Sequence, residues 1–501
     1  MRRITRAMAF LLGLLLAAAL PVAALAEEGT GIEPVWDTSR QTAPLRETKE
    51  FVLDEPEPGR KGEQSRGTAS ILEELEILMT MCGTIRESLL AGEDQIDLRD
   101  LNLTDTCVQF RHIGYFCPYL NGGFIDVKLY KYSSGQYTRL ELENTLDAEQ
   151  TAVWISRVDA ELEALCRVAD PSLDPADRAL RLHDYMCANY HYDLTYSDYY
   201  PGVLVTEGSG VCQSYAYLFQ YVMLRQGVTC YTAESETMNH AWNMVDLNGK
   251  TYHMDVTWDD PVLDDYGQAS HRYFLLSDTT IGDEDHQHEG WDLTDLVCDD
   301  PSYENAYMTR AESPVAFRGT IRYYCGWTDE GGALFRFDTA TGEETAAVSL
   351  GKWRISDSSY YLGVWSGLYD YGGLLYCNTP ETIQSYDPES GRTAAVLIPD
   401  LDEGALIYGL TGKGSQITWA CQSEPKVTYS EKDLRTFTIA YVFGDVDLNG
   451  ILNLKDVDLL FRYVTGKTEL TEQGREAADV TGDGKTDMRD VTVLYRTYNE
   501  A

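Results

Sequence analysis

The residues best placed to do chemistry lie between Gly208 and Pro261, a stretch reading GSGVCQSYAYLFQYVMLRQGVTCYTAESETMNHAWNMVDLNGKTYHMDVTWDDP. Cys212 follows a Gly-Ser-Gly turn, and Gln213 to Gln226 reads as a helix that is apolar nearly all round, stopped by Gly227. A cysteine at a helix N-terminus meets free N–H groups and the positive end of the dipole, which favour the thiolate. That form is the nucleophile, and it is the form a neighbouring imidazolium stabilises. At the open end of its helix the thiol is expected to be exposed. Two alternating runs, His240 to Leu247 and Lys250 to Trp258, flank Asn248-Gly249, a strong hairpin signal. With Leu247 opposite Lys250, Trp242 faces Asp255 and His240 faces Thr257. His240 and Asp255 then share one face as diagonal neighbours, about 7–8 Å apart at the backbone. The chain thus offers a nucleophile, a base and a carboxylate to fix the base's tautomer, in the order Cys212, His240, Asp255.

Taken singly, a cysteine at a helix start is an ordinary thiol and a hairpin histidine an ordinary structural residue. The set is more specific. Gly208-Ser-Gly-Val-Cys-Gln-Ser-Tyr-Ala216, His240-Ala-Trp-Asn243 and Tyr252-His-Met-Asp-Val-Thr-Trp-Asp-Asp-Pro261, in this order, resemble the motifs of the transglutaminase-like superfamily. The likeness spans roughly residues 174–278. Ser214 departs from it, standing where many relatives have Gly. The resemblance implies an α+β papain-like transglutaminase-like core, with Cys212 as nucleophile, His240 as general base and acid, and Asp255 as orienting acid. It implies acyl transfer from a peptide, protein or cell-wall amide through a thioester, with no cofactor for catalysis. The Cys212 N–H is one oxyanion donor; the sequence does not identify the second. Asp259 and Asp260, with a polar-tipped aromatic rim at Tyr192 to Tyr200, point to a wet cleft and so to hydrolysis rather than cross-linking. The other reading is a binding module whose triad is vestigial, and thiol reactivity separates the two.

The tail carries a second pattern. Asp445, Asp447, Asn449, Asn453 and Asp456 stand at positions 1, 3, 5, 9 and 12 of a calcium loop, with Gly450 at position 6 and the Ile451 carbonyl at position 7. Asp479, Thr481, Asp483, Asp487 and Asp490 repeat it, with Gly484 at the turn and the Lys485 carbonyl at position 7. A helix follows each loop: Val457, Leu460, Phe461 and Val464 map onto Val491, Leu494, Tyr495 and Tyr498. This loop–helix duplication resembles the type I dockerin of cellulosomes. The resemblance implies a small all-α calcium-binding dockerin with two Ca2+ sites, docked to the cohesin domain of a scaffoldin. Leu454, Lys455, Met488 and Arg489 would occupy the cohesin-contacting positions. Position 12 is Asp where an EF-hand has Glu, and Thr481 is the weakest side-chain ligand of the set. The company dockerins keep suggests an accessory role in a polysaccharide-degrading cellulosome, although no carboxylate pair has the spacing of a glycoside hydrolase.

The remaining sequence must position these two sites. Residues 1–26 read as a signal peptide: Arg2, Arg3 and Arg6, an apolar run from Ala7 to Leu20, and Ala24-Leu25-Ala26 as the cleavage site. The expected destination is extracellular, on a cellulosome or cell-surface scaffold, with no membrane span. Residues 27–69 read as a flexible leader. Residues 70–170 form an N-terminal α+β region, with helices near Ala69 to Leu90 and Asp147 to Val168 and β-like runs at Val108 to Tyr119 and Phe124 to Leu142. The catalytic core spans 171–300, with Asp174-Pro175 opening a helix and His271 to Asp278 continuing the sheet. His183 and His191 read as structural, and Asp283 to Glu289, containing His286 and His288, as a solvated loop rather than a metal site. Residues 314–442 form a β-rich middle module, in which Phe337-Asp-Thr-Ala-Thr-Gly342 recurs as Tyr386-Asp-Pro-Glu-Ser-Gly391. A β-sandwich or a partial propeller-like domain follows from that repeat. Residues 444–499 are the dockerin. With 81 acidic against 40 basic residues and a net charge of −41, nucleic acid is excluded as a partner. Eleven cysteines without a CxxC pair fit disulfides plus one free nucleophile, or unpaired thiols throughout.

Overall fold

The computed structural model describes residues 30–32, 42–53, 70–260, 266–356, 358–423, 433–439, 444–447, 454–481 and 485–500. The segment read as a signal peptide lies outside them. The long helix Ile71–Ala91 opens with a capping box between Ser70 and Glu73 and closes on Gly92 in the left-handed conformation. Helix Ala148–Val168 repeats the device with Asp147 and Gln150. Strands Ile125–Tyr132 and Tyr137–Asn144 form the antiparallel centre of a four-stranded sheet. The predicted β-run from Val108 is instead helical: a 3-10 turn over Phe110–His112 leads into helix Ile113–Phe116. Phe110, Ile113 and Phe116 are wholly buried there, a helical spacing that the aromatic content of the run disguised.

The leader reading needs correction over part of its length. Residues 30–32 pair in parallel with Ser359–Tyr361. Lys49–Leu53 pairs in parallel with residues 128–132 and so completes the edge of the N-terminal sheet. The segment ahead of it, 42–48, is held against the core, with Ala43 and Thr48 buried.

At the centre lies helix Cys212–Arg225, of which every residue from Cys212 to Met223 is buried. A helix apolar all round is a core helix, and this one packs on the sheet Lys250–Met254, His240–Leu247, Cys230–Ser235, in that strand order. The hairpin turns at Asn248-Gly249, both at positive φ, and pairs Lys250 with Leu247 through Met254 with Asn243. The ladder stops there. Asp255 leaves the strand to cap the short helix Val256–Asp259, so the expected pairs Trp242–Asp255 and His240–Thr257 do not form. Residues 271–278 do not extend the sheet either; one bridge, His253 to Leu276, is their only β contact among the described residues.

The middle module consists of successive antiparallel meanders. Ala316–Arg318, Ile321–Thr328, Gly331–Asp338 and Glu343–Gly351 make one four-stranded sheet, and Leu368–Tyr371, Leu374–Asn378, Ile383–Asp387 and Arg392–Leu397 make a second. The recurrent Asp-containing turns fall at equivalent places, after the third strand of each. The module packs directly on the core: Val315 and Tyr324 belong to the main hydrophobic cluster, and Arg322 bridges to Asp177 at 2.7 Å. In the tail, helices Leu454–Val464, Glu472–Ala478 and Met488–Glu500 enclose a small core of Val446, Val457, Leu460, Ala478, Val491 and Leu494. No helix among the described residues is long and apolar enough to cross a membrane. All eleven cysteines are free thiols.

Candidate active site and calcium loops

Cys212 is the first residue of its helix, and the N-cap residue Val211 has no capping side chain. The N–H groups of the first turn are therefore available to an anion. The turn before it needs glycine, because a Cβ on Gly210 would lie 2.3 Å from the Ser214 hydroxyl oxygen. That hydroxyl donates to the carbonyl of Val211 or Asp198, at 2.8 and 3.0 Å, and so fixes the loop. The hairpin is tied to the same helix by Asn243, whose amide donates to the Ala216 carbonyl at 2.9 Å. Cys212 and His240 are thereby carried on regular elements with one direct cross-link.

His240, wholly buried, donates from Nε2 to Asp255 at 2.6 Å. Its other ring nitrogen, Nδ1, is buried and has no hydrogen-bond partner among the described residues. Burial opposes charge on His240, but the Asp255 carboxylate and the thiol more than offset it, and its pKa is pushed up to about 10. Burial likewise opposes the Cys212 thiolate, yet His240 and the backbone at Ala43 and Ala241 pull the thiol below its ordinary value. The two shifts run in opposite senses and belong to the thiol and the imidazole as a pair. Asp255 remains ionised despite complete burial, because His240 and His288 both bond it. Its second oxygen accepts from the N–H groups of Thr257 and Trp258 at 3.0 and 3.2 Å. The rings of Trp258 and Trp242 stack on His240 with centroids 4.7 and 5.8 Å away.

Three expectations change here. First, Cys212 is not exposed; its accessible surface is 0%. Second, His288 does not lie in solvent. It is buried against Trp258, and its Nε2 donates to Asp255 at 2.9 Å, on the oxygen that also serves His240. His286, two residues earlier, is half-buried, with Nδ1 at 2.8 Å from Asp283 and its ring against Tyr273. The only sequence signal for His288 was the His-Gln-His alternation, and nothing local pointed to Asp255, 33 residues away. Third, Asp259 and Asp260 do not wet the cleft. Both are buried, Asp259 accepting from the Tyr273 N–H at 3.0 Å and Asp260 from the Tyr215 hydroxyl at 2.6 Å. The rim is also drier than its composition suggests, since Tyr192, Tyr199 and Tyr200 are buried. Burial first, and the neighbouring Cys212 next, push the Tyr192 hydroxyl well above its ordinary pKa, and that hydroxyl has no hydrogen-bond partner among the described residues.

His183 is indeed internal, held between Asp184 at 3.0 Å and Asp259 at 3.1 Å. Asp184 also accepts from His271 at 2.7 Å and from the Val315 N–H at 2.7 Å. Burial opposes charge on His183, but Cys187 and the two carboxylates that face its ring nitrogens raise its pKa well above the ordinary value. This buried network ties helix Pro175–Asn189 to the turn after Asp255 and to the start of the β-rich module.

In the tail, Asp445, Asp447 and Asp456 bring carboxylate oxygens within 4.8 Å of one another. Hard oxygen donors converging in this way suit Ca2+. Asp456 accepts from the Asp447 N–H at 3.2 Å, and 34 residues on Asp490 accepts from the Thr481 N–H at 3.1 Å. The loop duplication is thus a structural one. Asn449, Ile451, Asn453 and Asp483 lie outside the described residues. Of the other second-loop residues, Asp487 is engaged by Arg489 at 2.8 Å and Thr481 donates its hydroxyl to Asp490 at 2.8 Å, while Asp479 and Lys485 flank them. A hydroxyl is a weaker calcium ligand than a carboxylate, so Thr481→Asp is expected to tighten calcium binding by the tail about tenfold in calorimetric titration. Unchanged affinity would show that position 481 is not a ligand. Leu454 and Met488 are 49% and 47% exposed, and Lys455 and Arg489 beside them are exposed as well.

Comparison with known proteins agrees with this division. Residues 164–256 match the model of the transglutaminase-like superfamily, and residues 443–498 match that of the type I dockerin domain. The chain therefore carries a transglutaminase-like domain, a β-rich middle and a C-terminal dockerin domain. Among solved structures it is similar to a TGase crystal structure, at 14% identity over 26% of this chain and 44% of that one, with a TM-score of 0.18. It is also similar to a putative cysteine protease from Cytophaga hutchinsonii, at 15% identity over 28% of this chain and 63% of that one, with a TM-score of 0.16. The chain spans less than two thirds of either. No curated protein matches it.

Proposed function

We propose that this protein is a secreted cysteine enzyme that attacks an amide through Cys212 and is carried to a cohesin-bearing scaffold by its dockerin. The observation that carries the reading is the buried His240–Asp255 bond of 2.6 Å, and His240 in turn draws the Cys212 thiol below its ordinary pKa. A thiolate–imidazolium pair of this kind is already in its reactive protonation state. Sγ attacks the carbonyl carbon, and charge develops on the carbonyl oxygen. The Cys212 N–H and the Tyr192 hydroxyl are the donors that would meet it. The imidazolium then protonates the leaving amine, and a thioester remains. Asp255 holds the ring in place and stabilises its charge, and His288 holds Asp255. In the second half-reaction His240 takes a proton from the incoming water or amine.

Asp445, Asp447, Asn449, Asn453 and Asp456, with the Ile451 carbonyl, would hold one Ca2+. Asp479, Thr481, Asp483, Asp487 and Asp490, with the Lys485 carbonyl, would hold a second. The ion supplies the charge neutralisation that lets two acidic loops close, and the exposed pairs Leu454–Lys455 and Met488–Arg489 would meet the cohesin. Residues 1–26 would direct export, and a cellulosome would be the setting.

Water is the proposed acceptor, because bulk water outcompetes millimolar amine unless the amine is bound. The test supplies a glutaminyl peptide and a labelled primary amine, with Cys212→Ala as control, and quantifies both products by mass spectrometry. Hydrolysed peptide in excess of adduct is expected. A majority of amine adduct would make the protein a transferase instead.

A further inference from the structure

The segment Thr42 to Thr48 runs over the active site. Ala43 is fully buried, and its backbone is among the groups that stabilise the Cys212 thiolate. Three residues on, the side chain of Gln213, the neighbour of the nucleophile, grips one residue of the segment by its main chain. Its Oε1 accepts from the Arg46 N–H at 3.0 Å, and its Nε2 donates to the Arg46 carbonyl at 2.6 Å. Gln213 is itself 0% exposed, so this amide is built into the cleft for a backbone partner. The Arg46 guanidinium lies 4.4 Å from the centroid of the Tyr199 ring. At the far end, the Thr48 hydroxyl accepts from the Gly114 N–H at 2.9 Å, and a Cβ on Gly114 would lie 2.8 Å from the Thr48 side chain. The cleft therefore reads main chain twice and leaves room at Gly114 for the Thr48 side chain that lies there.

We infer that residues 42–48 occupy the substrate cleft as an internal pseudosubstrate, so that the cleft takes an extended peptide and Cys212 is restrained until this strap is displaced. The inference rests on the reading of Cys212 as the nucleophile. The strap explains why a thiol at the open end of a helix has no accessible surface. Charge and shape favour the same occupant: a peptide with a basic side chain over Tyr199 and a main-chain N–H and C=O for Gln213.

The experiment measures alkylation of Cys212 by iodoacetamide, located by mass spectrometry, in the full-length protein and in Ala43→Arg and Arg46→Pro variants of it. Arginine cannot fit where Ala43 is buried, and proline removes the N–H that Gln213 accepts. Both variants, with unchanged circular dichroism, are expected to react at least roughly tenfold faster than wild type, the equivalent of about one lost main-chain hydrogen bond. A synthetic Thr42–Thr48 peptide added to Ala43→Arg protein is expected to slow the reaction again. The same peptide with an ester replacing the Arg46 N–H is expected to compete roughly tenfold less well. Equal alkylation in wild type and both variants, or no competition by the peptide, overturns the strap. Fast alkylation in the variants without turnover of any amide upholds the strap and defeats the enzyme reading, so the two failures are distinct.

Discussion

Cys212→Ala protein is expected to show no amide-directed turnover above background, and Asp255→Asn protein to retain activity reduced by roughly 10²- to 10⁴-fold. The first substitution deletes the nucleophile. The second keeps the volume of the side chain but replaces the carboxylate that accepts from His240 and His288 with an amide, which can accept through one atom only. Two imidazoles then compete for that atom, and the charge that holds His240 protonated is lost. The residual activity is the informative part, because the thiol and the helix N-terminus remain. Cys212 is buried, so Cys212→Ala leaves a small void; a melting temperature within a few degrees of wild type is expected, since the lost volume is about that of one sulfur atom. Steady-state assays on wild type and both variants measure this directly. Full activity in Cys212→Ala protein would remove the proposed mechanism outright.

Chelation of calcium is the other large effect. Around the first loop Asp445 and Asp456 are buried beside Asp447, and in the second Asp490 is buried as well. Carboxylates packed this closely repel unless an ion neutralises them. The tail helices are short, and helices of 11 and 13 residues are marginal without tertiary support. Removing calcium from the full-length protein is therefore expected to unfold the tail locally, with loss of its helical signal and of cohesin capture, while Cys212 reactivity stays unchanged. Calcium should restore both. Hydrogen exchange followed by mass spectrometry localises the change. Protection of residues 454–464 and 488–500 that is indifferent to chelator would contradict calcium-dependent folding. Capture that fails in calcium while protection is normal would defeat only the docking role.

Much of this was legible in the sequence, and the legible parts share a cause. Cys212, the Asn248-Gly249 turn and the capped helices are local patterns, set by residues within a few positions of each other. The loop duplication was legible because it repeats. What the sequence did not disclose depends on contacts between distant segments. His240 and Asp255 were expected on one strand face; they meet because Asp255 leaves the ladder to cap the next turn, a choice made by the Thr257 and Trp258 N–H groups. His288 reads as polar loop because its neighbours are acidic, yet burial beside Trp258 and a carboxylate decides its place. Asp259 and Asp260 read as wet for the same reason and are spent on internal bonds. The strap reads as leader because it lacks periodicity, and a segment held by its main chain needs none.

The thiolate–imidazolium pair is tested most directly by titrating the ultraviolet thiolate absorbance of the wild-type chain against Cys212→Ala across pH. This measurement needs neither substrate nor access to the thiol. The proposed ion pair requires the thiolate on Cys212 at neutral pH, in keeping with a thiol lowered from its ordinary value by His240, and a His240 pKa near 10 keeps its counter-ion charged up to about pH 10. The difference spectrum should therefore show about one thiolate per chain at pH 7, and His240→Gln should abolish it there. A Cys212 signal that first appears at about pH 9 or above, as for an ordinary buried thiol, and that His240→Gln leaves unchanged, would contradict the pair and with it the proposed chemistry.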